Sequence, residues 1–268
     1  MNEPNYGINE RRKYQIIKHN DLIQRTKYDL SMQEQKILAY LISRIKPKDD
    51  DFKFYKFRIK DFYQVCGIEE TSGGNYSVLK AALLGIQNKG FFAKNDAGQY
   101  VSMNWVEKSI ITPKDGVFEI RFDKDMKPFL LQLKKQFTQY SLYYILAMES
   151  KFSIRLYELI KSYEEFGECE FEIDRLKVLL NAEKYAAFAD FRVRALDMAV
   201  REINDFTDLN VTYELKKQGR KFAWVKFLLI PNTYEGNIRK LNNIQAALDD
   251  DLLITIPFFG KETEVHDV

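Results

Sequence analysis

The chain has 268 residues, enough for one large domain or two of ordinary size. Apolar residues make up 46% of it and aromatic residues 14%, so it can bury a packed core and is not disordered as a whole. The 41 lysines and arginines against 39 acidic residues give a net charge of +2, which excludes a strongly basic coat protein.

Histidine and cysteine are too scarce for several kinds of site. The histidines are His19 and His266, and the cysteines are Cys66 and Cys169. These numbers exclude a Cys/His zinc site and a disulfide framework, and they fit a reducing cytoplasm. Neither phosphate-binding motif, G-x-x-x-x-G-K-[ST] or G-x-G-x-x-G, occurs. With no apolar run near the ~20 residues of a membrane span and no signal peptide, we expect a cytoplasmic protein that binds no membrane.

The N-terminal region begins with a polar segment, residues 1–15, which predicts a loose arm. A short helix is expected over 18–23, with Asn20 or Asp21 as its cap.

The next segment has the clearest helix signal of the first half. Ser31 lies three positions before Glu34, the spacing of a capping box, and the apolar residues after them favour a helix that ends before Pro47. Further elements are predicted in this order: a strand over 52–59, helices over 61–66 and 76–86, strands over 91–93 and 100–112 around a turn at 95–98, a strand over 117–122 and a helix over 124–133.

The second half repeats this order. A long helix from Phe152 is ended at Gly167, and Asp174 is expected to cap a later, shorter helix. The elements after Gly167 are predicted as a strand over 169–173, helices over 174–180 and 185–204, and strands over 211–215 and 222–230 around a loop at 216–221.

A shift of about 114 positions brings the first half into register with the second. Each half reads helix, short strand, helix, helix, hairpin, which is the order of a winged helix. The predicted fold class is therefore α+β, with two tandem winged-helix domains related by an internal structural repeat. The predicted divisions are an arm at 1–15, domain 1 at 16–135, domain 2 at 136–232 and an acidic tail at 233–268.

Charge is distributed unevenly between the body and the tail. Residues 235–268 carry a net charge of −4, so the first 234 residues carry +6. Within the tail, residues 246–259 mix three aspartates with apolar residues, which is equally consistent with docking on a partner and with a flexible appendage that folds back on the protein.

The loop at 216–221 is the most cationic feature of the second half. Lys216, Lys217, Arg220 and Lys221 are four of its six residues, and Gly219 can adopt a positive φ. A cationic hairpin tip beside a helix-turn-helix can grip a phosphate backbone, whereas the alternative is a solvated loop without a ligand.

The helix over 185–204 could read DNA bases. On an ideal helical wheel, Arg194 and Arg201 lie opposite the apolar side, Arg192 lies near the core side and reaches solvent from the flank, and Lys184 precedes the helix. We expect Arg194 to contact a base and Arg201 a phosphate. The alternative is that these arginines only form ion pairs along the helix, with Asp190, Asp197 and Glu202.

The first half is a weaker candidate for DNA recognition. Its corresponding helix offers mainly Asn75 and Lys80, and its hairpin tip at 95–98 lacks a basic run. Phosphate contact or self-association is an equally good interpretation.

Catalytic residues are not evident. The aspartate runs at 49–51 and 249–251 alternate faces, so they converge poorly on a metal and favour solvated turns. We expect no metal site, cofactor or catalytic residue.

Two segments together resemble the start and the DNA-reading helix of the iteron-binding plasmid replication initiators. They are KHNDLI at 18–23 followed by LSMQEQKIL at 30–38, and FADFRVRALDMAVREIN at 188–204; Gly219, Arg220 and Lys221 ahead of the last strand complete the pattern. The resemblance covers residues 15–231, with the halves in order.

This resemblance implies a function. Monomers would bind repeated double-stranded sites (iterons) at a plasmid origin, and dimers joined through domain 1 would bind an operator inverted repeat and repress their own gene. The implied partners are the host replication initiator and the replicative helicase, and no enzymatic activity is implied. Two alternatives stay open: a winged-helix transcriptional regulator without an initiator role, and a metal-dependent carboxylate enzyme.

Overall fold

The computed structural model of the protein describes residues 15–27, 29–46, 48–66, 76–94, 97–230 and 234–248. In the N-terminal part, the helices are α1 (Asn20–Arg25), α2 (Met32–Ile42), α3 (Ile59–Cys66), α4 (Ser77–Asn88) and the short α5 (Lys127–Leu130). The strands there are β1 (Gln15–His19), β2 (Tyr55–Arg58), β3 (Phe91–Lys94), β4 (Tyr100–Met103), β5 (Val106–Thr112), β6 (Val117–Phe122) and β7 (Phe137–Ser141).

The C-terminal part begins with two consecutive helices. Its helices are α6 (Leu142–Ala147), α7 (Lys151–Lys161), α8 (Ile173–Leu179), α9 (Phe188–Phe191), α10 (Met198–Phe206) and α11 (Tyr234–Leu248), and its strands are β8 (Glu168–Glu172), β9 (Val211–Gln218) and β10 (Lys221–Leu229). A π-helical turn, Arg192–Asp197, joins α9 to α10, so we call the whole stretch the 188–206 helix.

The two winged helices share one topology. The first is built from α2, β2, α3, α4, β5 and β6, and its sheet has the order β2-β6-β5. The second is built from α7, β8, α8, the 188–206 helix, β9 and β10, and its sheet has the order β8-β10-β9. The fold class and the internal repeat are therefore confirmed.

The predicted register of the repeat fails after helix α4, where the first half contains an additional hairpin. The hairpin β3–β4 forms a separate two-stranded sheet, so the counterpart of the β9–β10 wing is the β5–β6 hairpin and not the hairpin with its tip at 95–98. Pro113–Asp115 forms the turn between β5 and β6, and Gly116 closes it with φ +64°, as Gly219 closes the second wing with φ +63°.

Helix α2 follows the predicted pattern. The Ser31 hydroxyl accepts from the Glu34 backbone N–H at 3.2 Å, and the Glu34 carboxylate accepts from the Ser31 N–H at 2.7 Å, which completes the capping box. Burial works to raise the pKa of Glu34, but hydrogen bonds from Lys89 and Ser31 hold it below its usual range.

Three predicted helices differ from the structure in their cap or in their type. Residues 18 and 19 end strand β1, and His19 caps α1 by accepting from the Asp21 N–H at 3.2 Å, so neither Asn20 nor Asp21 is the cap. Glu172, and not Asp174, precedes α8, because the helix starts one residue earlier than predicted. The expected helix over 124–133 is a 3-10 turn, Lys124–Met126, followed by α5.

The aspartate run at 49–51 is not a simple solvated turn. Asp49 is buried, pairs with Lys53 at 2.6 Å and accepts from the Tyr55 hydroxyl at 3.0 Å. Asp51 pairs with Lys127 at 2.7 Å. The two carboxylates are thus bound to different cations, and the run at 249–251 lies outside the described residues.

A buried ion pair joins the N-terminal strand to the second winged helix. Lys18 on β1 lies 2.7 Å from Glu158 on α7, and each side chain is 3% exposed. Arg155, one turn earlier on α7, donates to the backbone carbonyls of Thr26 at 2.9 Å and Leu179 at 3.2 Å. Burial opposes ionisation of Glu158, but the positive charges of Lys18 and Arg155 hold its pKa below the usual range.

Part of the acidic tail folds back on the body. Helix α11 packs against α10 and α6, with Ile244 buried and the Asn243 amide donating to the Asp205 carbonyl at 3.2 Å. Lys240 is also buried and donates to the Leu209 carbonyl, and burial lowers its pKa to about 8. Residues 234–248 thus pack on the body, whereas most of the segment 246–259, for which docking or folding back was expected, lies outside the described residues.

Candidate nucleic-acid interface

The 188–206 helix is anchored on one side and exposed on the other. Ala195, Leu196, Ala199 and Ile203 have no exposed surface and face the core. Glu202 accepts hydrogen bonds from the backbone N–H groups at the start of α7, at 3.1 and 3.2 Å, so it stabilises a helix end and does not pair with an arginine. The core side of this helix is therefore fixed, and its opposite side is free to meet a ligand.

The π-helical turn changes where Arg192 points. A π turn has more residues per turn than an α-helix, so the residues within it rotate away from the positions of an ideal wheel. Arg192 was expected near the core side, reaching solvent from the flank; its side chain is 49% exposed and donates to the Tyr213 hydroxyl of β9 at 3.0 Å. Tyr213 in turn donates to Asp197, which lies 3.4 Å from the Arg192 guanidinium.

Arg194 and Arg201 occupy the outward side, as predicted. Arg194 is 67% exposed and lies 3.9 Å from Asp190, an i,i+4 pair that is too long and too exposed to immobilise it. Arg201 is also exposed, and seven residues of helix place it roughly 10 Å further along the axis. The ion pairs considered as the alternative therefore form at Arg192 and Arg194, and both guanidinium groups stay accessible.

The hairpin β9–β10 packs against the beginning of this helix. The Phe222 ring lies 5.1 Å from the Phe188 ring, and the Lys217 ammonium lies 5.0 Å from the Phe222 centroid. Arg220 and Lys221 are exposed at the tip. The strands continue to Gln218 and from Lys221, so the predicted six-residue loop is a two-residue turn with two flanking strand ends.

Lys216 and Lys184 are placed apart from this cluster. Side chains alternate along a strand, so Lys216 lies on the sheet face opposite Tyr213, where it pairs with Glu170 of β8. Lys184 is exposed before the helix, with its ammonium 5.0 Å from the Tyr185 ring. The structure thus joins Arg192 to the wing through Tyr213 and places Lys217 over Phe222, beside the start of the helix. Arg194 is exposed on the same helix, with Asp190 as its neighbour, and Lys216 faces away.

The first winged helix presents fewer cations. Lys80 is exposed on α4, and Asn75 lies outside the described residues. Leu84 is 54% exposed on the same helix.

Tyr213 was missed by the sequence reasoning. Its hydroxyl bridges Arg192 and Asp197, so it links the wing to the helix. The signal for it is the alternation of exposed and half-buried residues along β9, which places Tyr213 and Leu215 on the helix-facing side.

The described residues show neither a metal cluster nor a membrane span. They contain no group of three or more His, Cys, Asp or Glu side chains arranged to hold a metal ion. None of their helices is long and apolar enough to cross a membrane.

Comparisons with known proteins agree with this architecture. Residues 15–161 match the model described as "Initiator Replication protein, WH1", and residues 172–229 match "Initiator Rep protein, WH2". A replication initiation protein of Escherichia coli is 22% identical over 90% of this chain and 77% of its own length, and the PI protein of Escherichia coli is 30% identical over 52% of each chain. A crystal structure of the Pi initiator protein in complex with iteron DNA superposes with a TM-score of 0.67 at 22% identity, covering 82% of this chain and 98% of that one. The chain therefore belongs to the initiator replication protein family, as its motifs predicted.

Proposed function

We propose that this chain initiates plasmid replication by binding iterons, the repeated double-stranded DNA sites of an origin. One observation carries the proposal: the 188–206 helix presents Arg192 and Arg194 beside a hairpin that carries Lys217 and Arg220. This pairing lies in the region that matches the WH2 model. The likeness to the Pi protein, which was solved with iteron DNA, supports the same ligand.

The geometry suggests a division of labour among the cations. The 188–206 helix enters the major groove, where Arg194 pairs with a guanine edge and Arg192 flanks it. Lys217, Arg220, Lys221 and Arg201 contact phosphates, which fixes the position of the protein on the duplex without reading sequence. Lys184, Lys216, Asn75 and Lys80 are assigned peripheral contacts.

The finer assignments rest on the family resemblance. Domain 1, residues 16–135, mediates dimerisation and auxiliary DNA contact, and domain 2, residues 136–232, is the principal reader. Monomers bind iterons, and dimers bind an inverted repeat and repress their own gene. The host initiator and the replicative helicase are the partners, and the protein acts in the cytoplasm without catalysis of its own.

Selection of bound fragments from a random duplex pool tests the proposal. We expect one directional motif to be enriched; binding with no enriched motif would contradict sequence-specific recognition. A second arm places the gene with its upstream repeats in a vector that lacks a replicon. Replication of that vector distinguishes an initiator from a regulator, and absence of nicking of supercoiled DNA with Mg²⁺ distinguishes it from a metal-dependent nuclease.

A further inference from the structure

We propose that Val193 is a specificity-determining residue that recognises the C5 methyl group of one thymine in the bound DNA. The proposal rests on the proposed function, since it assumes that the 188–206 helix lies in the major groove. Val193 carries no charge, so the distribution of charges along the sequence does not indicate this role.

Val193 lies at the centre of the outward side of the helix. Its side chain is 65% exposed, whereas the neighbouring Ala195 and Leu196 are fully buried on the opposite side. Ala189, four residues earlier, is exposed as well, so the two form a short apolar stripe along the helix. Arg192 borders this stripe on the wing side, and Arg194 borders it on the other.

Among the described residues, no packing contact accounts for valine at this position. Its exposure shows that it contributes little to the core, and valine has a lower helix propensity than alanine, lysine or arginine because its branched side chain loses rotational freedom. Single exposed apolar residues are common on protein surfaces. This one differs because it lies between two exposed arginines on the side of the helix that faces the proposed ligand.

The chemistry of the major groove supplies a partner. The thymine methyl is the apolar group that a base pair displays there, and small apolar side chains contact it. A helix that aims Arg194 at a guanine brings Val193 within reach of a neighbouring base pair, because consecutive Cα atoms lie about 3.8 Å apart and stacked base pairs about 3.4 Å apart. We therefore expect the thymine to neighbour the guanine that Arg194 contacts.

The test uses the full chain and the site obtained by selection. Each thymine is replaced in turn by deoxyuridine, which removes only the methyl group, and the dissociation constant is measured for the wild type, Val193→Ala and Val193→Thr. For the wild type, we expect one position at which uridine weakens binding about threefold to fivefold, the equivalent of one buried methyl group. Val193→Ala should weaken binding to the thymine site by a similar factor and be insensitive to uridine at that position. Val193→Thr keeps a methyl group and should retain sensitivity.

Leu84→Ala is the matched control, because Leu84 is an exposed apolar residue on the corresponding helix of the first winged helix. Its response to uridine should equal that of the wild type at every position. If no thymine methyl matters, or if Val193→Ala responds to uridine as the wild type does, the assignment of Val193 is wrong while the proposed function stands. If the selection yields no motif at all, the proposed function fails and this inference fails with it.

Discussion

The two winged helices have the same strand order but different surfaces. Both close the wing with a left-handed glycine, Gly116 in the first and Gly219 in the second. The turn before Gly116 carries Lys114 and Asp115, whose charges cancel, whereas Gly219 is followed by Arg220. The two winged helices therefore share a scaffold and differ in the charges placed on it.

Helix α4 and the 188–206 helix occupy equivalent places in the two winged helices and also differ. Helix α4 exposes Lys80 and Leu84 and is a regular α-helix. The 188–206 helix contains the π turn that brings Arg192 towards the wing and leaves Arg194 on the outward side. We infer that the second winged helix reads the DNA sequence, whereas the first serves dimerisation and auxiliary DNA contact.

The largest predicted effect concerns the Lys18–Glu158 ion pair, which joins strand β1 to the second winged helix. Glu158→Gln leaves Lys18 buried without its counter-charge, and we expect the free energy of unfolding at pH 7 to fall by about 3–5 kcal/mol. Because the folded pKa of Glu158 is lowered, this contribution is present above the unfolded value of 4.5 and is lost as pH falls through the folded pKa. Urea denaturation of both proteins at several pH values measures the loss of stability at pH 7 and its dependence on pH.

The matched control is Glu107→Gln. Glu107 forms a pair with Arg121 at 2.7 Å on the surface of the first winged helix, and such exposed pairs contribute at most about 1 kcal/mol. Equal losses for the two variants would show that the junction is no more important than a surface pair.

The next prediction compares the two DNA-facing helices. Arg194→Ala should cost about 1–3 kcal/mol of binding to the selected site and much less on unrelated duplex, because it removes a base contact. Lys80→Ala, its counterpart on α4, should affect both duplexes slightly and alike. Titration of both duplexes by fluorescence anisotropy measures this, and equal losses for Arg194→Ala on both would contradict base reading.

The wing should contribute without regard to sequence. Replacing Lys217 and Lys221 together by alanine should weaken binding to all duplexes and flatten the salt dependence of the binding constant by roughly two units. Lys216→Ala should change the slope less, because Lys216 pairs with Glu170 on the other face of the sheet. A larger effect for Lys216 than for Lys217 would show that DNA contacts the face of the sheet that carries Lys216, which would contradict the proposed interface.

The smallest effect concerns α11, which packs on α10 beyond the region matched by the WH2 model. Lys240 has a folded pKa of about 8 and an unfolded value of 10.5, so its burial costs stability below pH 8 and the cost disappears as pH rises between these values. Relative to Lys240→Met, the wild type should gain about 1–2 kcal/mol from pH 8 to pH 10. A constant difference between the two proteins would show that Lys240 does not titrate in this range.

Local sequence patterns predicted most of the fold, and tertiary contacts decided the rest. The capping box at Ser31 and Glu34 depends on neighbours in the chain, so its spacing was sufficient. The contact of Arg192 with Tyr213 was not predicted, because an ideal wheel assumes 3.6 residues per turn and shows nothing of the wing. The Lys18–Glu158 pair joins residues 140 positions apart, and no local pattern indicates it.

That long separation also affects how the protein is made. Strand β1 is synthesised early, but its partner β7 lies more than a hundred residues later, and Glu158 later still. At ribosomal rates of about 5–20 residues per second, Lys18 waits roughly 7 to 28 s for its counter-ion to be translated. A nascent chain interrupted before β7 thus exposes an unpaired strand edge and a lone ammonium group, which makes it a substrate for chaperones and not a partially active initiator.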